Sequence, residues 1–433
     1  MMDLSHENRL LVCCMQAGIS ESEADRIKDI IKLPLQWEEF LASAQWHGVA
    51  PLIYRNIKDL PEDLPFPSEV MEQLKATYYA TLVRNILLFD ELKKVLADFR
   101  EEGLEVILLK GAALAKTVYA DIGMRPMGDL DILIKRADLP QAEQRLSALG
   151  YVFHGKNPPE WWRKHHYHIG YIHPAKTVRI ELHWHITNEY NPLKIRDYDF
   201  DIIERFWGKA HVGECFGSGV HLLSPEDSLL YLTTHFLKHR FFNSTNGGFT
   251  SRGALLQLSD ILRTLRRYGA EIDWARLRQE AGQHRIYHLI DVMVGLVSNI
   301  FWNDALSPAH TSKYPAERPD NEIIELLGRK IFIREETRTN VPGHVINALK
   351  ENTLRDAGGK ILRNICPPPE VISDLYAVPL SSKRLYFYYI KRPFDLFLKH
   401  RKMISEIPRM KEDVILNRWI DSRAIPSDAQ KPK

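Results

Sequence analysis

Cysteine is scarce in this chain, and the few present are poorly placed to build a scaffold. Cys13 and Cys14 are adjacent, while Cys215 and Cys366 stand far from them and from each other. With no CxxC pair, a zinc ribbon or a disulfide framework is excluded as the source of stability. The pattern suits a reducing compartment. Long apolar runs are also missing. No stretch approaches the ~20 residues that a membrane span requires. The first eighteen residues carry acids early and only a short apolar run, so they do not read as a signal peptide. The expected location is the cytoplasm. Charge of one sign is missing too, since Lys and Arg exceed Asp and Glu by only two. The basic footprint of a nucleic-acid binder is therefore absent from the total. Local clusters such as Arg263, Arg266 and Arg267, or Lys399 to Lys402, read as solvated faces. GxxxxGK[ST] and HEXXH do not occur, which removes a Walker-type phosphate loop and a zincin helix. Internal repeats and low-complexity blocks are absent.

What is present is a chain of 433 residues, long enough for two or three domains. Residues 1–100 read as helices. The clearest has Leu82, Ile86, Phe89, Leu92, Leu96 and Phe99 at spacings of three and four. It starts near Ser68, read as an N-cap after Pro67, and stops at about Glu102, before Gly103. A short buried strand follows at Leu104 to Leu109, then a helix from Ala112 to Tyr119. Gly123 and Pro126 mark a loop, and Leu130 to Ile134 reads as the next strand. Asp138 looks like the N-cap of a helix carrying Leu139, Ala142, Leu146 and Leu149, closed by Gly150. Strand-helix-strand-helix order in so short a stretch argues an α/β unit. Tyr167 to His173 and Val178 to Ile186, joined through Pro174 to Thr177, read as a β-hairpin. In its second strand Val178, Ile180, Leu182 and Trp184 share one face, and Arg179, Glu181, His183 and His185 the other. Ser224-Pro225-Glu226-Asp227 resembles a capping box opening a helix to about Phe242. Asn243 to Gly248 reads as a polar loop. Helices continue to about Trp302, residues 304–319 read as a linker, and Pro367 to Pro369 mark a second break.

The chemistry concentrates between residues 106 and 181. Asp129 and Asp131, two apart on a strand, share a face. Paired carboxylates repel each other and are costly near a core. Mg²⁺ (or Mn²⁺) with nucleotide phosphates is the natural partner for such a pair. If the strand of Glu181 lies beside theirs, three acids converge, and the third can hold a second metal or act as general base. The alternative for Glu181 is pairing with Arg179 or His183. Lys110-Gly111 sits where a strand meets a helix. There backbone N–H groups favour phosphate, glycine permits close approach and lysine adds a point charge. Arg125, on the loop into the metal strand, can stabilise a leaving pyrophosphate. Among 18 histidines, His235 and His239 lie at i and i+4 on one helix face. With Lys238 they read as either a buried hydrogen-bonded group or a substrate contact. Asp260 faces the same cleft or sits on a solvated face. The Trp161-Trp162 pair beside Arg163 and Lys164 reads first as core, and second as a stacking platform.

The run Leu109-Lys110-Gly111-Ala112-Ala113-Leu114, with Tyr119, Arg125 and Asp129-Leu130-Asp131, resembles the uncharacterised nucleotidyltransferase family of the DNA polymerase beta-like superfamily. Gly150-Tyr151, Ile180 to Trp184 and the His235 to His239 helix extend the resemblance. It covers roughly residues 75–300, with a further echo in RPFDLFLKH near the end. It implies transfer of a nucleoside monophosphate from an NTP. Asp129 and Asp131 match the paired acids and Glu181 the third. Lys110, Gly111 and Arg125 are carried over as nucleotide-binding residues. Where the superfamily has a Gly-Ser turn, this chain has Lys110-Gly111-Ala112, a departure that touches phosphate binding and not the metal acids.

The expectation is therefore an α+β protein with a small mixed β-sheet core flanked by helical regions. Its parts are an N-terminal helical region at 1–100, the catalytic core at 101–215 and a helical cleft domain at 216–303. A mostly helical C-terminal region at 320–425 and a frayed tail at 426–433 follow. The expected activity is Mg²⁺-dependent nucleotidyl transfer to a hydroxyl acceptor, with release of pyrophosphate. The rivals are γ-phosphate transfer and a catalytically degenerate nucleotide- or partner-binding module. A small molecule, sugar, peptide or protein, or tRNA end all remain open as acceptor, as does oligomeric state.

Overall fold

The computed structural model describes residues 4–60, 66–186, 202–215, 218–241, 250–277, 288–301 and 321–334. It also describes 369–376, 378–379, 381–400 and a few positions from 412 to 419. The expected loop at Asn243 to Gly248, the linker at 304–319 and the tail after Ile425 lie outside the described residues. The chain divides into two compact units, 1–236 with 251–334, and 237–250 with 335–433.

In the first unit, α1 (His6–Cys14), α2 (Glu21–Ile31), α3 (Trp37–Trp46), α4 (Ala50–Ile57) and α5 (Ser68–Glu101) precede the sheet. Their ends follow local chemistry. Ser20 and Glu23 close a reciprocal capping box on α2, and Gly103, at φ +72°, takes the left-handed turn that stops α5. Pro67 rather than Ser68 is the N-cap of α5. Then come β1 (Ile107–Leu108), α6 (Lys110–Thr117), β2 (Leu130–Leu133), α7 (Leu139–Ala148), β3 (Val152–Phe153) and α8 (Pro159–His165). β4 (His168–His173), β5 (Val178–His183), α9 (Ile202–Lys209), β6 (His211–Cys215) and β7 (Ser218–Leu222) complete the sheet. The expected strand at Leu104 to Leu109 contracts to two residues, because only those pair with neighbours on both sides. The helix after it begins at Lys110, two residues earlier than expected. Beyond the sheet lie α10 (Pro225–Phe241), α11 (Ala254–Tyr268), α12 (His288–Ile300) and α13 (Asn321–Ile331). The Leu237 division falls within α10. Among its described residues the second unit contains α14 (Pro369–Tyr376) and α15 (Arg384–His400), joined by a stacked Tyr376–Tyr388 pair.

The strand order is β3-β4-β5-β2-β1-β7-β6. β2 runs parallel to β5, and β1 parallel to β7, while β1 and β2 are antiparallel. The sheet is mixed and the architecture α+β with helical flanks. Leu130, Ile132, Val178, Ile180 and Leu182 bury one sheet face against Phe89, Leu92, Leu96 and Phe99 of α5 and Leu139, Ala142 and Leu146 of α7. Each such apolar side chain contributes roughly 1.5–3 kcal/mol on full burial. Alternation along β2 and β5 then obliges their polar residues to stand on the opposite face.

Candidate active site

The register of β2 and β5 sets Asp131 directly across from Glu181. Paired residues on neighbouring strands present their side chains to one face, so these carboxylates meet. Asp129 lies one residue before β2 and points the same way. One oxygen from each of Asp129, Asp131 and Glu181 falls within 4.8 Å of the other two. The convergence that the sequence made conditional on neighbouring strands is present.

Antiparallel pairing then brings Lys110 level with the acids. The Leu109 N–H donates to the Asp131 carbonyl at 3.1 Å, and Lys110 Nζ lies 2.9 Å from Asp131 Oδ1. The Lys110 backbone is held at φ +27°, a conformation that costs a non-glycine residue on the order of 1–3 kcal/mol. Glycine occupies the next position for a packing reason. A side chain on Gly111 would meet Arg125 Nη1 at 3.0 Å and Met127 Sδ at 3.2 Å.

Two histidines join the group. His183, two residues beyond Glu181 on the same face, places Nε2 2.9 Å from Asp131 Oδ1 and 3.4 Å from Glu181 Oε2. His168 pairs with His183 across the β4–β5 ladder and brings Nε2 to 3.7 Å from Glu181 Oε2. Arg179 turns away to His154 Nε2 at 3.1 Å. Of the two alternative partners foreseen for Glu181, histidine is the one at hand. Alternation had placed His183 on the Glu181 face, but the match between His183 and His168 required the hairpin register.

Electrostatics separate the acids. The charge of Asp131, and then burial, push the Asp129 carboxyl up from 3.8 to about 6. Burial pushes Asp131 up too, but the Lys110 ammonium and the His183 hydrogen bond outweigh it and hold Asp131 below the usual carboxylate range. Burial pushes the Lys110 ammonium toward its neutral form, yet the charges of Asp131 and Asp129 outweigh it and hold Lys110 above its ordinary value. His183 likewise titrates above its ordinary value, because hydrogen bonds to Asp131 and Glu181 outweigh burial.

Arg125 lies close by but is already engaged. Its Nε and Nη2 donate to the two oxygens of Asp260 at 2.8 and 2.6 Å, and the Tyr119 hydroxyl donates to the same carboxylate at 2.7 Å. Asp260, on α11, therefore sits in the interior and not on a solvated face. A cavity of about 220 Å³ lined by Lys110 lies at the carboxyl ends of β1 and β7. Lys110, Thr117, Ser228, Tyr231, Tyr268 and Glu271 supply most of its polar wall. Tyr231 also stacks on His235 at 6.0 Å. Lys238 and His239 belong to the second unit. Trp161 and Trp162 make an edge-to-face pair on α8, with Trp162 packed on the core and Trp161 exposed.

Three carboxylates with an ammonium and the start of a helix beside them supply the kinds of group that a polyanion carried with a divalent cation requires. Residues 34–301 match the family described as uncharacterised nucleotidyltransferase, more than half of the chain, and the protein belongs to that family. Membership supports nucleotidyl transfer, with a nucleotide as substrate, as its general chemistry. No curated protein matches the chain. No helix among the described residues is long and apolar enough to cross a membrane.

Proposed function

We propose that this protein transfers a nucleoside monophosphate from an NTP to an acceptor hydroxyl, using Mg²⁺ held by Asp129, Asp131 and Glu181. The observation that carries the reading is the β2–β5 register, which sets Glu181 across from Asp131 and beside Asp129. The donors fit a hard cation. All are carboxylate oxygens, and the mutual repulsion that lifts Asp129 is relieved by positive charge. Bound Mg²⁺ would neutralise phosphate charge and polarise the phosphorus under attack.

The remaining roles belong to the chain. The acceptor oxygen forms a bond to the α-phosphorus while the bond from that phosphorus to the β-phosphate oxygen breaks, and pyrophosphate leaves. The acceptor proton passes to Glu181, a partly exposed acid that also borders the two histidines. Lys110 lies between acids and cavity, and supplies charge to the departing phosphates. Backbone N–H groups of the first turn of α6, which has no side-chain cap, supply further donors. Gly111 lets Arg125 pack beneath that turn. Asp260 engages Arg125 through Nε and Nη2, so the group Arg125 can turn toward a pyrophosphate is Nη1, whose present contact is a long one to the Pro126 carbonyl at 3.5 Å. The cavity beside Lys110 is smaller than the ~300 Å³ and upward of whole-ligand pockets. It receives one moiety of the NTP, the nucleoside.

The test is incubation with α-labelled and γ-labelled NTPs and candidate acceptors, with thermal unfolding alongside. Label from the α-position on the acceptor supports the reading, and label from the γ-position replaces it with phosphotransfer. A ligand at 100 times its Kd adds about 2.7 kcal/mol of stability. A Mg²⁺-dependent NTP shift in wild type that Asp131→Asn abolishes locates the nucleotide at the acids. A well-folded wild type with no shift for any NTP makes the protein a binding module of another kind.

A further inference from the structure

The acid trio accounts for Asp129, Asp131 and Glu181 but not for two imidazoles that face the same carboxylate. We propose that His168, Glu181 and His183 form a second cation site, for a zinc-like divalent transition ion, with Glu181 shared between the two. The β4–β5 hairpin builds it. Its ladder pairs His168 with His183 and Gly170 with Glu181, so the three functional side chains rise from one face and the small residue leaves room between them.

The distances suit an ion. His183 Nε2 lies 3.4 Å, and His168 Nε2 3.7 Å, from the same Glu181 Oε2. Ligands held tetrahedrally by bonds of about 2.0–2.1 Å stand roughly 3.3–3.5 Å apart. One donor atom from each of the three residues already lies within 4.8 Å of the other two, so the two imidazoles need only draw in around the shared carboxylate to close the set. Three protein donors leave a fourth position open, the pattern of a reactive zinc site rather than a structural one.

The donor chemistry separates this site from its neighbour. Mg²⁺ seeks oxygen, whereas imidazole nitrogen suits zinc, cobalt and similar ions. Two ions of different hardness would then share one carboxylate, at the separation of roughly 3.5–4 Å found in two-metal sites. A ligating imidazole nitrogen carries no proton, so binding an ion through Nε2 displaces the hydrogen that His183 shares with Asp131. The competing account is that both histidines only orient the carboxylates through hydrogen bonds, and it predicts no bound ion. The assignment does not rest on the transferase reading, since it needs only these three side chains.

The experiment is equilibrium dialysis of the metal-stripped full chain against limiting Zn²⁺ in excess Mg²⁺, with bound zinc counted by elemental analysis. Co²⁺ replaces Zn²⁺ in a parallel sample, read by its visible ligand-field bands. Wild type is expected to retain one zinc per chain and to show nitrogen-ligated cobalt bands. His168→Gln, at a partly exposed position, is expected to weaken binding by more than the roughly tenfold that losing even an outer-shell partner brings. Circular dichroism confirms its fold, and His183→Gln repeats the test from the buried side. No zinc retained in excess Mg²⁺ overturns the proposal. Equal retention by wild type and His168→Gln also overturns it, because the ion then sits on other histidines. The Mg²⁺-dependent NTP shift is read in the same samples, so loss of the transferase reading and loss of the zinc site register separately.

Discussion

Asp129 and Asp131 differ by two positions, yet they sit in opposite electrostatic states. Asp131 has Lys110 and His183 as partners and stays ionised, while Asp129 bears the repulsion. Because the folded Asp129 carboxyl binds its proton more tightly than the unfolded chain does, linkage gives the sign. The contribution of Asp129 to metal-free stability falls as pH rises from 3.8 to about 6, and its loss is complete above that window. Asp129→Asn should therefore be more stable than wild type in a chelator at neutral pH, with the advantage vanishing at the acid end, while activity is lost. Urea melts at several pH values decide it, and an Asn variant no more stable at neutral pH would mean the repulsion is relieved some other way. Lys110→Met should do the reverse. It leaves buried Asp131 without its nearest cation, and removing one member of a buried pair costs about 3–5 kcal/mol. Added Mg²⁺ should restore part of that loss in the Met variant, and a melt unchanged by Mg²⁺ would speak against cation binding at Asp131.

Strand alternation and helix periodicity carried most of what was legible in advance, because both are local. The apolar faces of α5 from Phe89 onward and of β5 fall where the spacing of Phe89, Leu92, Leu96 and Phe99, and of Val178, Ile180 and Leu182, puts them. Earlier on α5 the expected Ile86 is exposed and Leu82 only partly buried, and Asn85 and Leu88 face inward instead. The paired acids and the hairpin were legible for the same reason. Pairings between distant elements were not. Ser224 does cap α10, with the Asp227 N–H donating to its Oγ at 3.2 Å, but the Asp227 carboxylate turns to Arg205 on α9 instead of completing the box. Nothing near Arg125 announces Asp260, which arrives from α11. That ion pair fastens α11 to the loop that leads into β2. Asp260→Ala should therefore unfold the protein about 3–5 kcal/mol more easily, by stranding a buried guanidinium. Arg125→Met combined with Asp260→Leu should recover much of the difference, since removing both charges also removes the desolvation cost. Chemical denaturation of the two variants measures it, and equal losses would show that packing, not charge, holds this junction.

At the scale of the molecule, the central strands of the sheet gather residues that the chain keeps far apart. The acids stand where β2 begins and on β5 beside it, Lys110 stands where β1 ends, and the cavity continues past the carboxyl ends of β1 and β7. Its outer wall comes from α10 and α11, so the helices after the sheet belong to the site as much as the strands do. If the cavity takes the nucleoside and the acids take the phosphates, the two halves of an NTP should be separable by mutation. Ser228, half-buried on the α10 wall and not a member of the carboxylate group, is the position to fill. Ser228→Leu should weaken NTP binding about tenfold or more, equivalent to about 1.4 kcal/mol. Binding of inorganic tripolyphosphate with Mg²⁺ should be unchanged, because that ligand has no nucleoside to displace. Calorimetric titration with both ligands reads the contrast directly. Equal weakening of both would place the phosphates themselves in the cavity. No weakening of either would leave the cavity to the acceptor, which must then approach from the Lys110 side and not across Glu181.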